Sequence, residues 1–180
     1  MTNANHEIAV FGGGCFWCTE ATFTMLKGVI SVVPGYTGGK SINPTYDEVS
    51  TGQTGHVEVI KIVFDPSIVS YADLLTVFFN THDPTTLNRQ GNDVGTQYRS
   101  VIFYANEAQK YEAEHLVKEL NEKHAYGKDV VTEVVSLANF YEAEEYHRDY
   151  FKNHPGDAYC SIVIAPKLEK MQKRFADLIK

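Results

Sequence analysis

The chain has 180 residues, 43% hydrophobic and 22% charged, the make-up of a globular protein able to bury its own core. Lys and Arg number 16 against 23 Asp and Glu, a formal net charge of −7, which argues against a nucleic-acid binder, whose footprint is clustered and basic. No apolar run approaches the roughly 20 residues that span a bilayer, and Met1 to Glu7 carries neither a basic nor an apolar export-type stretch. These features predict a cytoplasmic protein folded as a single domain over residues 1–180, with no nucleic-acid or membrane partner.

Taken in chain order, Ile8 to Phe11 reads as a strand running into Gly12-Gly13-Gly14, and Cys15 to Leu26 as a helix. Val29 to Tyr36 has strand character broken at Pro34, and the Gly-, Pro- and Thr-rich stretch to Gly55 reads as loop. His56 to Phe64 is the clearest strand, closed by Asp65-Pro66. A helix opens at Ser70, with Asp73 as its capping partner, and stops before Asp83-Pro84. Residues 83 to 98 form a long polar loop, of the length that usually serves function. Val101 to Tyr104 is a strand. Asn106 and Gln109 open a helix whose Ala113, Leu116, Val117 and Leu120 share one face. Val130 to Leu137 is a further strand, Ala143, Tyr146, His147 and Tyr150 repeat at helical spacing, and a last helix opens at Pro166. The order βαββαβαβαα predicts an α+β sandwich, an antiparallel or mixed sheet with helices packed against it.

Chemistry concentrates first at Phe11-Gly-Gly-Gly-Cys15-Phe-Trp-Cys18. A cysteine between a glycine turn and a helix faces unpaired N–H groups and the positive end of the helix dipole, which predicts an activated thiolate at Cys15. Cys18 lies one turn on, and three consecutive glycines suit close backbone approach better than core building. Structural zinc needs four ligands, commonly from two such knuckles, and only one C-x-x-C is present. The second signal is Glu58, which the period of two places on one strand face with Ile60, Ile62 and Phe64, opposite Val57, Val59 and Val63. A carboxyl in that company is desolvated and protonated near neutrality, the state of a general acid; the alternative is a solvated strand end. The 83–98 loop with Asp93 and Tyr98, and the irregular stretch with Tyr46, are candidate site walls. His147 reads as a hydrogen-bonded core residue.

Gly14-Cys-Phe-Trp17 followed by Glu20 resembles the signature of the A-type peptide methionine sulfoxide reductases. Gly35-Tyr-Thr-Gly-Gly39, Asn43-Pro-Thr-Tyr46, Gly55-His-Val-Glu58, Phe64-Asp-Pro66, His82-Asp-Pro-Thr85, Asn88-Arg-Gln-Gly91, Gly95-Thr-Gln-Tyr-Arg-Ser100, Glu145-Tyr-His147 and Tyr159-Cys160 resemble further family blocks in family order, over nearly the whole chain. The resemblance implies a two-layer α+β sandwich with a ferredoxin-like βαβ core, long irregular loops and a C-terminal tail. It implies thiol-dependent reduction of the S epimer of methionine sulfoxide, free or peptide-bound, as repair of oxidative damage. Cys15 would attack the sulfoxide sulfur and become a sulfenic acid. Glu58 would serve the sulfoxide oxygen, assisted by Tyr46 and Tyr98, with Phe16 and Trp17 holding the methyl group and Asp93 in the polar network. No metal or organic cofactor is implied, and electrons would come from a thioredoxin-type dithiol to a monomeric enzyme.

Cys18 departs from the commonest pattern, where a small residue follows the tryptophan, and a further C-terminal recycling cysteine is missing. Cys160, beside Pro155-Gly156 on a swinging tail, is expected to resolve the sulfenic acid first, because Cys18 is anchored in a helix. Cys18 would then receive the disulfide by exchange or merely pack. Two rival readings remain: a general thiol–disulfide oxidoreductase using Cys15 and Cys18, and a metal-binding domain using the three cysteines with His147.

Overall fold

The computed structural model describes residues 5–180. Its main sheet runs in the order β7-β6-β1-β3-β2-β8, with β1 spanning Glu7–Gly12, β2 Val29–Thr37, β3 Val57–Phe64, β6 Val101–Tyr104, β7 Glu133–Ser136 and β8 Tyr141–Glu142. The β1–β3, β1–β6, β2–β3 and β2–β8 pairs are antiparallel, while β6–β7 is parallel, so the sheet is mixed. The helices are α1 (Phe16–Thr24), α2 (Tyr46–Ser50), α3 (Tyr71–Thr81), α4 (Glu107–Glu122), α5 (Tyr150–Asn153) and α6 (Ala165–Arg174). The fold is α+β, as expected, and among the described residues no helix is long and apolar enough to cross a membrane.

The alternation of β3 sorts its side chains between two cores. Ile60, Ile62 and Phe64 join Phe11, Phe23, Leu74, Phe78 and Ala113 under the helices, while Val57 and Val59 join Val10, Val101 and Phe103 on the opposite face. Burial of each such large side chain contributes about 1.5–3 kcal/mol. The expected cap of α3 is present in full: Asp73 N–H donates to Ser70 Oγ at 3.0 Å and Ser70 N–H to Asp73 Oδ2 at 3.0 Å. At α4, Asn106 caps Gln109 N–H at 2.9 Å, but the Gln109 side chain reaches across to donate to the Ile8 carbonyl at 2.7 Å, tying the helix to β1.

Several expectations change. Pro34 does not break β2. Its carbonyl accepts from Ala143 N–H at 2.9 Å on the β8 side, so the missing N–H falls at that edge and leaves the β3 ladder intact. The 34–55 loop contains α2, started by a Thr45–Glu48 capping box. The 83–98 loop folds into a two-stranded hairpin, β4 (Arg89–Gln90) with β5 (Asp93–Val94), and a 3-10 turn over Thr96–Tyr98. Residues 143–150 do not form the expected helix. A 3-10 turn covers Glu145–His147, and Asp149 at φ 51° interrupts the chain before α5. The C-terminal segment is no tail: a wide π-type helical turn, Cys160–Ile164, runs straight into α6, and Lys180 N–H donates to the Met25 carbonyl at 2.9 Å.

The three glycines at the β1–α1 junction each lie against a neighbour. A Cβ on Gly12 would stand 2.8 Å from Val57 Cγ1, one on Gly13 3.0 Å from Phe78 Cε2, and one on Gly14 2.6 Å from Gln90 Cγ. Gly14 also sits at φ +94°, where an L side chain is strained. Gly14→Ala is therefore expected to lower stability by about 2–3 kcal/mol, read from the urea midpoint at unchanged slope. A loss under about 0.5 kcal/mol would contradict the close-approach role of this turn.

Candidate active site

Cys15 is the residue that caps α1. It holds non-helical backbone angles (φ −55°, ψ 126°), and its carbonyl accepts the Cys18 N–H at 3.1 Å. Its side chain is half-buried, whereas Cys18 and Cys160 are buried, and all three are free thiols. The three sulfurs belong to one apolar cluster with Ile164 and Leu168, so the turn at Cys160 carries that residue to α1. Cys160 does not stand on an extended tail in this structure: it is 0% exposed, in a helical turn packed on α1.

The surroundings of Cys15 oppose the expected thiolate. Burial pushes the Cys15 thiol well above its usual range, with Cys18 and the charge of Glu58 adding to the push, against a Trp17 backbone N–H. Cys18 moves the opposite way, down to about 7, drawn first by its contact with Cys15 and then, against its own burial, by Lys167 and the Tyr159 hydroxyl. Burial thus disfavours charge on Cys15, while the contact between the two sulfurs draws Cys18 down. Tyr159 links this pair to the loop: its hydroxyl donates to Asp93 Oδ2 at 2.8 Å and lies 3.7 Å from Cys18 Sγ.

Glu58 is 2% exposed, opposite Tyr36 of β2 in the sheet register, which disposes of the solvated strand end. Burial pushes its carboxyl up to about 8; the Phe16 backbone N–H opposes the shift and the charge of Asp93 adds to it. Its Oε2 is buried without a hydrogen-bond partner among the described residues. An unpaired buried oxygen is costly as an anion and much less so as a neutral acid. Tyr46 and Tyr98 border the same carboxyl: burial raises both hydroxyls, Tyr46 to about 12, and the charge of Glu58 is the next cause for each.

An aromatic wall stands beside these groups. Trp17 stacks on Tyr150 with ring centroids 3.7 Å apart and 4° between planes, and its Nε1–H donates to His147 Nδ1 at 3.0 Å. Phe16 is fully buried against Tyr36, Tyr46 and His147. His147 behaves as the hydrogen-bonded core residue expected of it. The three cysteines and His147 do not gather as a ligand set, and among the described residues no three His, Cys, Asp or Glu side chains are placed to hold a metal ion.

Cys15, Phe16, Trp17, Cys18, Tyr46, Glu58, Asp93, Tyr98 and Cys160 thus surround one end of α1. Three further residues were given no role in the sequence, though Glu20 and Tyr159 stand in the quoted family blocks. Tyr159 was visible only as the neighbour of Cys160. Glu144 accepts from the Tyr36 hydroxyl at 3.0 Å and from Tyr46 N–H at 3.0 Å, holding α2 to the sheet, yet stands in an acidic stretch with no local signal. Glu20 accepts from Asp149 N–H at 2.9 Å and is pushed up to about 7 by burial, fixing the chain reversal that brings Tyr150 onto Trp17.

Comparison with known proteins agrees with this geometry. A family model described as peptide methionine sulfoxide reductase matches residues 7–179. A peptide methionine sulfoxide reductase MsrA of Sulfolobus acidocaldarius is 57% identical over 171 residues, 95% of this chain and 96% of that one. The reduced form of Mxr1 from Saccharomyces cerevisiae superposes with a TM-score of 0.81 at 32% identity, covering 88% of this chain and 91% of that one. Mxr1 in complex with Trx2 matches with a TM-score of 0.59 at 25% identity over 82% of this chain and 86% of that one. The chain belongs to the peptide methionine sulfoxide reductase family.

Proposed function

We propose that this chain reduces the S epimer of methionine sulfoxide to methionine, with Cys15 as nucleophile and Glu58 as the acid that serves the departing oxygen. The observation that carries the reading is the buried, unpartnered Glu58 Oε2 facing the cysteine-bearing end of α1. Cys15 sulfur attacks and bonds to the substrate sulfur; the oxygen then passes to Cys15 sulfur as the substrate S–O bond and the transient S–S bond break, so methionine leaves and Cys15 remains as the sulfenic acid. Neutral Glu58 hydrogen-bonds or protonates the oxygen as negative charge builds on it, helped by the Tyr46 and Tyr98 hydroxyls. Cys18, in side-chain contact with Cys15, is placed to take the proton that Cys15 gives up. Phe16 and Trp17 supply an apolar wall for the substrate methyl group, and Asp93 orients the Tyr159 hydroxyl.

Resolution follows the packing. Cys18 attacks the sulfenic acid, releasing water and forming the Cys15–Cys18 disulfide. Because Cys15 precedes the helix proper, this bond straddles the helix start, where C-x-x-C disulfides are found without disrupting the coil. Cys160 then exchanges onto Cys18 and returns Cys15 to the thiol. A thioredoxin-type dithiol would reduce the final disulfide, a partner suggested by the Mxr1–Trx2 complex. Three free cysteines packed together suit a reducing cytoplasm. We also take the chain as one domain, a two-layer sandwich with a ferredoxin-like core, a reading supported by the β6-β1-β3-β2 order and the crossovers α1 and α3.

The experiment is a single turnover of the reduced protein, without added reductant, on each epimer of a blocked methionine sulfoxide. One methionine per chain from the S epimer alone is expected; none from either epimer would leave only disulfide exchange for the cysteines. In Cys160→Ser the methionine yield should persist, with Cys15 joined to Cys18 in the peptide map. A Cys15–Cys160 bond as the first product in the parent would instead restore Cys160 as first resolver.

Glu58→Gln is expected to slow methionine release about 10²–10⁴-fold, the range of a lost general acid. The same variant should alter stability with a defined sign. The folded carboxyl is raised to about 8 from 4.5, so the stability it contributes is present below pH 4.5 and is lost as pH rises through about 8. Between those limits the stability gap should move by about 2–5 kcal/mol in favour of Glu58→Gln, measured by denaturant melts at each pH. A gap independent of pH would place an ordinary, solvated carboxylate at Glu58.

A further inference from the structure

On the far side of Lys167 from the cysteines lies a cavity of about 600 Å³, a volume suited to a small ligand. Four cationic side chains line it: Lys128, following the turn after α4, and Lys167, Lys170 and Arg174 along α6. Among the described residues none of the four forms an ion pair, although Lys118, Lys123, Lys173, Arg99 and Arg148 all do. The one carboxylate in the lining, Asp83, accepts through Oδ1 from the Thr85 N–H at 2.9 Å and the Thr85 hydroxyl at 2.6 Å, and its charge interacts with Lys128, so the cations outnumber it without being cancelled. His82 adds no charge: its Nδ1–H is committed to the Phe78 carbonyl at 2.6 Å, its Nε2 to the Ser100 hydroxyl at 2.7 Å, and burial holds it down to about 4.

Gathering four unpaired cations around one hollow, on a chain whose net charge is −7, costs repulsion that an anion would relieve. The hollow is concave and also presents Tyr126, Met171 and Phe175, so it can receive a carbon framework beside the charge. We propose that this cavity binds a phosphate-bearing small molecule, with a di- or polyphosphate group held by Lys128, Lys167, Lys170 and Arg174. A small ligand fits the volume better than a protein segment, because a protein interface needs a far larger and flatter surface. The hollow shares none of the residues assigned to the sulfoxide site, although the charge of Lys167 also bears on Cys18. A bound phosphate would offset that charge, which links occupancy to the thiol pair.

The test is a thermal melt of the full chain against increasing pyrophosphate or adenosine diphosphate, each matched in ionic strength with potassium chloride. A saturable rise of about 3–5 °C is expected once the probe reaches roughly ten times its dissociation constant. Tighter binding of the nucleotide would assign Tyr126 and Phe175 to its base; equal binding would assign the site to the phosphates alone. Lys170→Gln/Arg174→Gln, both exposed and outside the reductase machinery, should remove the shift while leaving single-turnover methionine release intact. Lys118→Gln/Lys123→Gln, which removes two cations elsewhere on α4 and its end, should keep it. No saturable shift with either probe, an equal shift in potassium chloride, or an equal loss in both double variants would overturn the proposal. Protection by an acidic peptide but by neither phosphate would overturn it as well.

Discussion

The site depends on keeping one carboxyl out of water. Glu58 stands on the central strand of the sheet, with Tyr36 beside it in register and the end of α1 above it, and it is nearly inaccessible. Desolvation dominates its proton affinity, and a neutral acid is the form that this burial favours. The surrounding structure serves that condition. The glycine turn lets α1 descend onto the sheet, Glu144 ties α2 and Tyr46 down, and the hairpin carrying Asp93 closes the side. A neutral acid beside a sulfoxide oxygen is able to donate where a carboxylate would only repel.

The same low-dielectric setting governs the thiols. Burial raises Cys15, while Cys18, nearer to Lys167 and Tyr159, takes the charge more readily. The difference between two cysteines one turn apart follows from their mutual contact together with the burial of Cys15 and the charge of Lys167. A helix dipole favours a thiolate at its N-terminus, but here the desolvation at Cys15 outweighs that help. Cys160 joins the group by helix packing, which sets all three cysteines in one apolar cluster.

What could be read from the sequence was whatever repeats at short range. The alternation of β3 located Glu58 because both faces of that strand are buried, and the Ser70–Asp73 pair announced α3 through its own hydrogen bonds. The triple glycine located the nucleophile because close approach leaves a compositional mark. Residues whose roles depend on distant partners stayed hidden. Tyr146, His147 and Tyr150 are spaced like a helix face, yet that spacing reflects their place around Trp17 and Tyr46, reached through a 3-10 turn and a left-handed Asp149. Pro155-Gly156 resembles a hinge, but the contacts that pin the C-terminus, Leu26 with Ile179 and Lys180 with Met25, join opposite ends of the chain. The further pull of Lys167 and Tyr159 on Cys18 was unreadable for the same reason, since both lie far along the sequence.

The state of Glu58 is open to direct observation by infrared difference spectroscopy. Subtracting the Glu58→Gln spectrum from the parent spectrum across a pH series isolates the carbonyl stretch of this one carboxyl. The burial described here predicts a protonated-carboxyl band that is present at neutral pH and titrates away near pH 8. A band already lost by about pH 5, where an ordinary glutamate has ionised, would contradict it.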